Sequence, residues 1–166
     1  MGNMKSKLHI INTSIKNSNR IVFIIFLTSA LYILAYSFFS IYEFIKEKDI
    51  ILFEFSSKEK STIFLFFTSV IFAPIFETFF NQFLPYYLLN KVKYLHDRNY
   101  LILLASALFF GLLHFYSVFH ILYAFLLGLV LMYGYMIRIK TDKQTFYLIA
   151  LGHSFLNLGV FIKNLI

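Results

Sequence analysis

The chain has 166 residues, of which 60% are hydrophobic, 21% are aromatic and only 14% are charged. This composition excludes an ordinary water-soluble domain, which is nearer half apolar and a quarter charged, and the absence of cysteine excludes disulfide and thiolate chemistry. The net charge of +7 would suggest nucleic acid in a soluble protein. Here the basic residues lie in short loops between apolar runs, where membrane topology explains them better. We therefore expect an integral membrane protein in contact with lipid, with no nucleic-acid partner.

Five apolar runs approach the roughly 20 residues that a helix needs to cross a bilayer. In chain order they are residues 21–41, 62–89, 100–116, 118–137 and 145–162. They lack the alternation of barrel strands, and main-chain groups in lipid must bond within their own segment. The sequence therefore predicts an all-α, polytopic membrane helical bundle of about five transmembrane helices. The third and fourth helices must be antiparallel neighbours because the turn between them is very short, with His120 in it or just past it.

The distribution of Lys and Arg predicts the orientation, because cytoplasmic loops carry an excess of both. With the N-terminus in the cytoplasm, ten of these residues fall on the inner side and five on the outer side. We expect a multi-pass protein of a bacterial plasma membrane with this orientation. Residues 1–61 would form the N-terminal segment, the first helix and an outer loop, in which residues 50–55 are apolar enough to lie on the membrane surface. Residues 62–166 would form the core.

Charged and strongly polar side chains interrupt three of the apolar runs. Each charge at the centre of a spanning helix costs roughly 2.5–3.5 kcal/mol on insertion scales. The polar residues are Glu77, Thr78, Asn81 and Gln82 in the second run, His114 in the third, and His153 and Asn157 in the fifth. In the second and fifth runs they include pairs four residues apart, which share a helix face. The least costly arrangement points these side chains at one another in a shared polar cavity.

Taken alone, each of these residues also has a structural interpretation. A single His, Asn or Gln in a membrane helix commonly hydrogen-bonds a neighbouring helix. Pro74 should kink the second helix and free a main-chain carbonyl, which is either purely structural or opens the site to water. Phe110, one turn before His114, is expected to pack in the core or to set the orientation of the imidazole.

The polar residues form three short motifs in a fixed order. The motifs are Ala-Pro-Ile-Phe-Glu-Thr-Phe-Phe-Asn-Gln at residues 73–82, Phe-Gly-Leu-Leu-His at 110–114 and His-Ser-Phe-Leu-Asn at 153–157. Together they resemble the motifs of the CAAX protease and bacteriocin-processing family of intramembrane proteases, also called CPBP or Abi. The family's first motif is usually Glu-Glu-x-x-x-Arg. Here Thr78 replaces the second Glu and Gln82 replaces the Arg, so one acid and one base are lost together.

The resemblance implies an intramembrane endopeptidase that hydrolyses a peptide bond with activated water. Glu77 would be the general base, helped by His114, while His153 and Asn157 would donate hydrogen bonds to the developing oxyanion. Gln82 would hold Glu77 or the substrate in place of the usual Arg. The supporting residues would be Thr78, Asn81, Gln82 and Phe110. The substrate would be a prenylated CAAX tail or a bacteriocin leader peptide, the latter in processing or self-immunity.

The cofactor and three other functions stay open at this point. We expect no metal, because the chain has no His-Glu-x-x-His motif; zinc held by Glu77, His114 and His153 is the alternative. The missing Glu and Arg favour a non-catalytic binding or immunity protein on the same scaffold as the main alternative function. A small proton-coupled carrier lacks the expected inverted repeats, and a structural membrane subunit would use the polar residues only to join helices. The sequence does not indicate the oligomeric state.

Overall fold

The computed structural model of the protein describes residues 12–46, 61–96 and 98–165, together with His9. Within these ranges the chain forms six helices and no strand, which confirms the predicted all-α fold. The helices are residues 12–17 (α1), Arg20–Lys46 (α2), Thr62–Leu89 (α3), Asn99–Leu113 (α4), Val118–Arg138 (α5) and Thr145–Lys163 (α6). The surface segment expected at residues 50–55 lies outside the described residues.

Four of the helices, α2, α3, α5 and α6, are long and apolar enough to cross a membrane. Helix α4 is apolar but has 15 residues, fewer than the roughly 20 of a full crossing. It ends at Leu113 rather than Tyr116 because His114 leaves the helical conformation and Ser117 caps the next helix. The Ser117 hydroxyl accepts a hydrogen bond from the His120 main-chain N–H at 3.1 Å. His120 therefore lies just past the turn, in the first turn of α5.

The outer surface of the bundle is apolar. On α2, the side chains of Phe23, Leu27 and Leu31 recur every four residues and are at most 2% exposed, as expected for one helix face. On the opposite side of the helix, Ile33 is 69% exposed and Tyr36 is 78% exposed. Water opposes the exposure of so much apolar area, whereas hydrocarbon does not. The protein is therefore an integral membrane protein whose exposed helix faces suit a bilayer.

Glycines bring α4 and α5 together as antiparallel neighbours. A Cβ atom on Gly111 of α4 would lie 2.8 Å from the Ile121 main-chain oxygen of α5. A Cβ atom on Gly128 of α5 would lie 3.0 Å from the Ala107 Cα atom of α4. Small residues permit this close approach between membrane helices. The contact fixes the position of α4, which carries the second sequence motif.

Helix α3 changes from α-helical to π-helical geometry twice. The π-helical stretches are Phe66–Phe72 and Phe79–Phe83, and a proline follows each of them, Pro74 or Pro85. Proline has no N–H, and its ring clashes with the carbonyl four residues earlier, so the helix is distorted and a carbonyl loses its main-chain donor. The disturbance expected at Pro74 is therefore present, and Pro85 adds a second one. Such π-helical turns frequently occur at functional sites.

A cluster of charged residues joins several segments at one end of the bundle. Asp142, between α5 and α6, accepts hydrogen bonds from Arg20 Nε at 2.8 Å and Arg20 Nη2 at 3.1 Å. Buried Arg138 donates to the Ser18 carbonyl at 2.7 Å and, through its other terminal nitrogen, to Asp142 at 3.4 Å. The hydrogen bonds from Arg20 and from the Gln144 main-chain N–H lower the pKa of Asp142 to about 2. The cluster thus holds the ends of α2, α5 and α6 together.

Candidate active site

The middle of the bundle contains a carboxylate and an imidazole in close approach. Glu77 lies in the stretch Ala73–Thr78 of α3, between the two π-helical turns, and His153 lies in the middle of α6. The Glu77 Oε2 atom is 3.6 Å from the His153 Nε2 atom. The side chain of His153 is 4% exposed, whereas that of Glu77 is 27% exposed. The pair is therefore enclosed on the imidazole side and accessible on the carboxylate side.

An amide from α6 binds the carbonyl that Pro74 leaves free. In the first π-helical stretch the Ala73 N–H donates to the Thr68 carbonyl, five residues earlier. The same spacing would pair residue 74 with Ser69, but proline has no N–H. The Asn157 amide nitrogen donates to the Ser69 carbonyl at 2.8 Å instead. Asn157 therefore joins α6 to α3 one turn away from His153.

A hydroxyl from α4 binds a main-chain carbonyl of α3 close to the second proline. Pro85 removes the donor that the Asn81 carbonyl would have in a regular α-helix. The Ser106 hydroxyl donates to the Asn81 carbonyl, and the Asn81 amide nitrogen donates to the Glu77 carbonyl at 3.0 Å. Helix α3 is thus held from α6 at Ser69 and from α4 at Asn81. Glu77 lies between these two attachment points, which restrict its movement.

The second predicted histidine lies at the end of α4. His114 Nδ1 is 2.8 Å from the Phe110 carbonyl oxygen, so Nδ1 is assigned the proton and donates it. The Phe110 ring contacts both imidazoles edge-on, with centroid separations of 4.7 Å to His114 and 6.0 Å to His153. Within the described residues, no hydrogen bond or ion pair joins His114 to Glu77. The imidazole next to Glu77 is that of His153.

Several buried polar atoms in this region have no hydrogen-bond partner in the described part of the chain. They are the Thr78 hydroxyl, the Asn81 amide oxygen, both amide atoms of Gln82 and His153 Nδ1. Thr78, Asn81 and Gln82 have no solvent exposure at all. A buried polar atom without a partner costs about 1–3 kcal/mol, and such atoms are normally satisfied by water or ligand. Next to Glu77, α3 therefore carries a buried and uncharged polar surface.

The described side chains do not form a recognisable metal site. No group of three or more His, Asp or Glu residues within those ranges has a suitable arrangement. Glu77 and His153 are close to each other, and His114 donates its Nδ1–H to the Phe110 carbonyl, a contact that a metal-bound imidazole also makes. We assign no step to a metal. Metal-free activity remains a prediction, for which a chelator is the test.

The structure divides the predicted site residues among four positions. Glu77 and His153 meet; Thr78, Asn81 and Gln82 form a buried polar strip on α3; Phe110 and His114 lie beside His153; and Asn157 contacts Ser69. The sequence reasoning did not single out Ser69 or Ser106. The sequence does contain a pattern that points to each of them. Ser69 precedes Pro74 by five residues, and Ser106 precedes Phe110 by four residues on the same helix face.

The comparison with protein families identifies the family of the chain. Residues 59–159, more than half of the chain, match the family model for type II CAAX prenyl endopeptidase Rce1-like proteins. All three sequence motifs lie inside the matched range. No protein of curated function and no solved structure matches the chain. The chain belongs to the Rce1-like family of type II CAAX prenyl endopeptidases, which are peptide hydrolases.

Proposed function

We propose that the protein hydrolyses a peptide bond of a membrane-associated peptide with a water molecule activated by Glu77. The main supporting observation is the 3.6 Å approach of Glu77 to His153, beside buried polar atoms that have no hydrogen-bond partner among the described residues. Ionisable side chains inside a membrane bundle are costly and generally mark functional sites. Membership of an endopeptidase family supplies the reaction class.

In this proposal Glu77 is the general base. Its carboxylate removes a proton from water while the water oxygen attacks the carbonyl carbon of the scissile peptide bond. The tetrahedral intermediate then collapses as the C–N bond breaks, and Glu77 returns the proton to the departing amine. The products are one carboxyl group and one amine. The partial exposure of the carboxylate is consistent with a water molecule reaching it.

We assign His153 to position the Glu77 carboxylate. With a proton on Nε2, the imidazole donates toward Oε2, and the separation of 3.6 Å is longer than a direct hydrogen bond of 2.7–3.2 Å. Catalytic hydrogen bonds are often long without substrate and shorten in the reactive complex. The family resemblance gave the role of helper to His114. The 3.6 Å approach of His153 to Glu77 supports giving this role to His153 instead.

We assign Asn157 to the oxyanion that develops during attack. His114 donates its Nδ1–H to the Phe110 carbonyl, so its Nε2 atom is an acceptor and does not donate to an oxyanion. Asn157 uses one amide N–H on Ser69 and retains a second. One correctly placed donor is worth about 10²–10³ in rate. Phe110 keeps the two imidazoles apart by packing against both.

The neutral strip of Thr78, Asn81 and Gln82 is proposed to position water or substrate. Gln82 stands where the family usually has Arg, and both of its amide atoms are buried and have no partner in the described part of the chain. A carboxamide can donate to one peptide group and accept from another, so Gln82 suits a peptide main chain. Thr78 and Asn81 provide further polar atoms on the same side of α3.

The proposed substrate is a prenylated CAAX tail, with a bacteriocin leader peptide as the second choice. The description of the matched family favours the prenylated tail. We also propose the orientation with a cytoplasmic N-terminus in a bacterial plasma membrane. The excess of Lys and Arg on the N-terminal side of the bundle supports this orientation.

The main competing function is a membrane protein that binds a peptide or partner without cutting it. The supporting observation is that Thr78 and Gln82 replace one acid and one base of the family motif, so the site lacks both charges. The Gln82 amide, which has no hydrogen-bond partner within the described ranges, would serve binding as well as catalysis. The two functions differ in whether new peptide termini are produced.

The test compares membranes containing wild-type protein with membranes containing Glu77→Gln at equal expression. Both are incubated with prenylated CAAX peptides and leader peptides, and the products are identified by mass spectrometry. Glu43→Gln is the matched control, because Glu43 is exposed near the end of α2. Products from the wild type and the control, but not from Glu77→Gln, support the proposal. Peptides that are retained by all three proteins without cleavage favour the binding protein.

A further inference from the structure

A cavity lies at the end of the bundle that carries most of the Lys and Arg residues. It has a volume of about 260 Å³, several times the roughly 30 Å³ that one water molecule occupies in the liquid. Its wall comes from α1, from the last turns of α3 and α5 and from the start of α4. Because α3 and α5 are long enough to span a membrane, their ends place this cavity at the level of lipid headgroups.

The wall of the cavity carries positive charge and hydrogen-bond donors. The polar lining residues are His9, Asn12, Thr13, Lys16, Asn99 and Lys140. None of the described lining residues is Asp or Glu, and neither lysine forms an ion pair within the described part of the chain. The described acid nearest in sequence to Lys140 is Asp142, which is bound by Arg20 and Arg138. As far as the described residues show, the charges of Lys16 and Lys140 are therefore available to an anion.

Contacts between helices hold the wall in place. The Tyr133 hydroxyl of α5 donates to the Asn12 amide oxygen of α1 at 2.5 Å, which leaves the Asn12 amide nitrogen as a donor. Arg138 Nη1 donates to the carbonyls of Lys16 at 3.1 Å and Ser18 at 2.7 Å. Buried Arg138 therefore fixes the main chain at Lys16, so part of the basic wall is already formed without a ligand.

The remaining wall is apolar and belongs to helices that face the bilayer. Tyr86, Met136 and Ile137 are partly buried and line the same cavity. An isolated inorganic anion would gain nothing from these side chains, whereas a phospholipid places apolar atoms directly next to its phosphate. We propose that this cavity binds a phosphate group, and that the phosphate is the headgroup of an anionic phospholipid. This site is separate from the Glu77 region and does not depend on the proposed catalysis.

The experiment measures the melting temperature of the full chain in detergent during titration with dioleoylphosphatidylglycerol. Parallel titrations use dioleoylphosphatidylcholine and inorganic phosphate. The test variant is Lys16→Gln/Lys140→Gln, and the matched control is Lys93→Gln/Lys143→Gln, which removes two exposed charges that do not line the cavity. Basic residues near an anionic surface strengthen binding by about fivefold each, so the test variant should need at least tenfold more lipid.

We expect phosphatidylglycerol to raise the melting temperature of the wild type and the control, with no comparable rise from phosphatidylcholine. An equal loss of response in both double variants would overturn the proposal, since overall charge and not the cavity would then explain binding. A rise with inorganic phosphate that only the test variant loses would support a phosphate site and overturn the lipid assignment. No rise with either phosphate compound would overturn both.

Discussion

The hydrogen bond from Asn157 to the Ser69 carbonyl allows a structural role and a catalytic role to be separated. Asn157→Ala removes the donor and leaves the carbonyl that Pro74 already deprives of a main-chain partner. Side-chain hydrogen bonds between membrane helices contribute roughly 0.6–1.7 kcal/mol, and an unsatisfied buried carbonyl costs about 1–3 kcal/mol. We expect a loss of about 1–2 kcal/mol and a melting temperature lower by roughly 2–8 °C.

The effect of Asn157→Ala should be compared in two proteins, the wild type and the Pro74→Ala variant. Alanine at position 74 restores the N–H that can reach the Ser69 carbonyl, so Asn157→Ala should then cost less than half as much stability. If the second Asn157 N–H binds the oxyanion, Asn157→Ala should lower turnover by about 10-fold to 10³-fold both in the wild type and in the Pro74→Ala variant. Thermal unfolding in detergent and peptide turnover are measured on all four proteins, with Ser154→Ala on the same helix as a control. If Asn157→Ala costs the same stability in the wild type and in the Pro74→Ala variant, Pro74 is not the reason why the Ser69 carbonyl lacks a main-chain donor. If turnover by the Asn157→Ala protein returns to normal when Pro74→Ala restores stability, Asn157 has no catalytic role.

Three further predictions concern acid stability, helix packing and metal. The folded-state pKa of Asp142 is about 2, below its ordinary value. Its contribution to the free energy of unfolding is therefore complete above about pH 4 and is lost as the pH falls towards 2. Thermal unfolding measured against pH should show this loss in the wild type and not in Asp142→Asn. Gly111→Ala should destabilise the bundle by about 1–3 kcal/mol, because its Cβ meets a main-chain oxygen of α5 that cannot move easily; an unchanged melting temperature would contradict the close packing. EDTA should leave peptide cleavage unchanged, and loss of activity that zinc restores would overturn the metal-free mechanism.

The helical fold was predictable because lipid imposes simple rules on sequence. Long apolar runs set the spanning helices, and the residues between them set the turns. The end of α4 was placed too late because an apolar run continues through Phe115 and Tyr116, whereas Ser117 and its hydrogen bond to the His120 N–H start the next helix. A hydropathy profile does not detect a side-chain cap of this kind. The end of α4 could therefore be placed only from the main-chain conformation and the hydrogen bond of Ser117.

For the candidate site, the sequence indicated which residues to consider but not which of them would approach each other. The cost of polar groups in lipid identifies Glu77, His114 and His153 as candidates for a shared cavity. Which imidazole approaches the carboxylate depends on the rotation and depth of each helix, and these follow from packing contacts such as those of Gly111 and Phe110. The role of Ser106 depends on the distortion at a proline on another helix, so spacing along one helix could only suggest it.

The most direct test of the proposed mechanism measures the turnover number of Glu77→Gln, His153→Gln and the double variant on a peptide that the wild type cleaves. Thermal unfolding of each protein in the same detergent shows that the fold is retained. If His153 acts through the Glu77 carboxylate, each single change should lower turnover by at least about 10²-fold, and the double variant should be little worse than Glu77→Gln. Turnover by Glu77→Gln close to that of the wild type would contradict the account, and a full additional loss in the double variant would show that the two residues act independently.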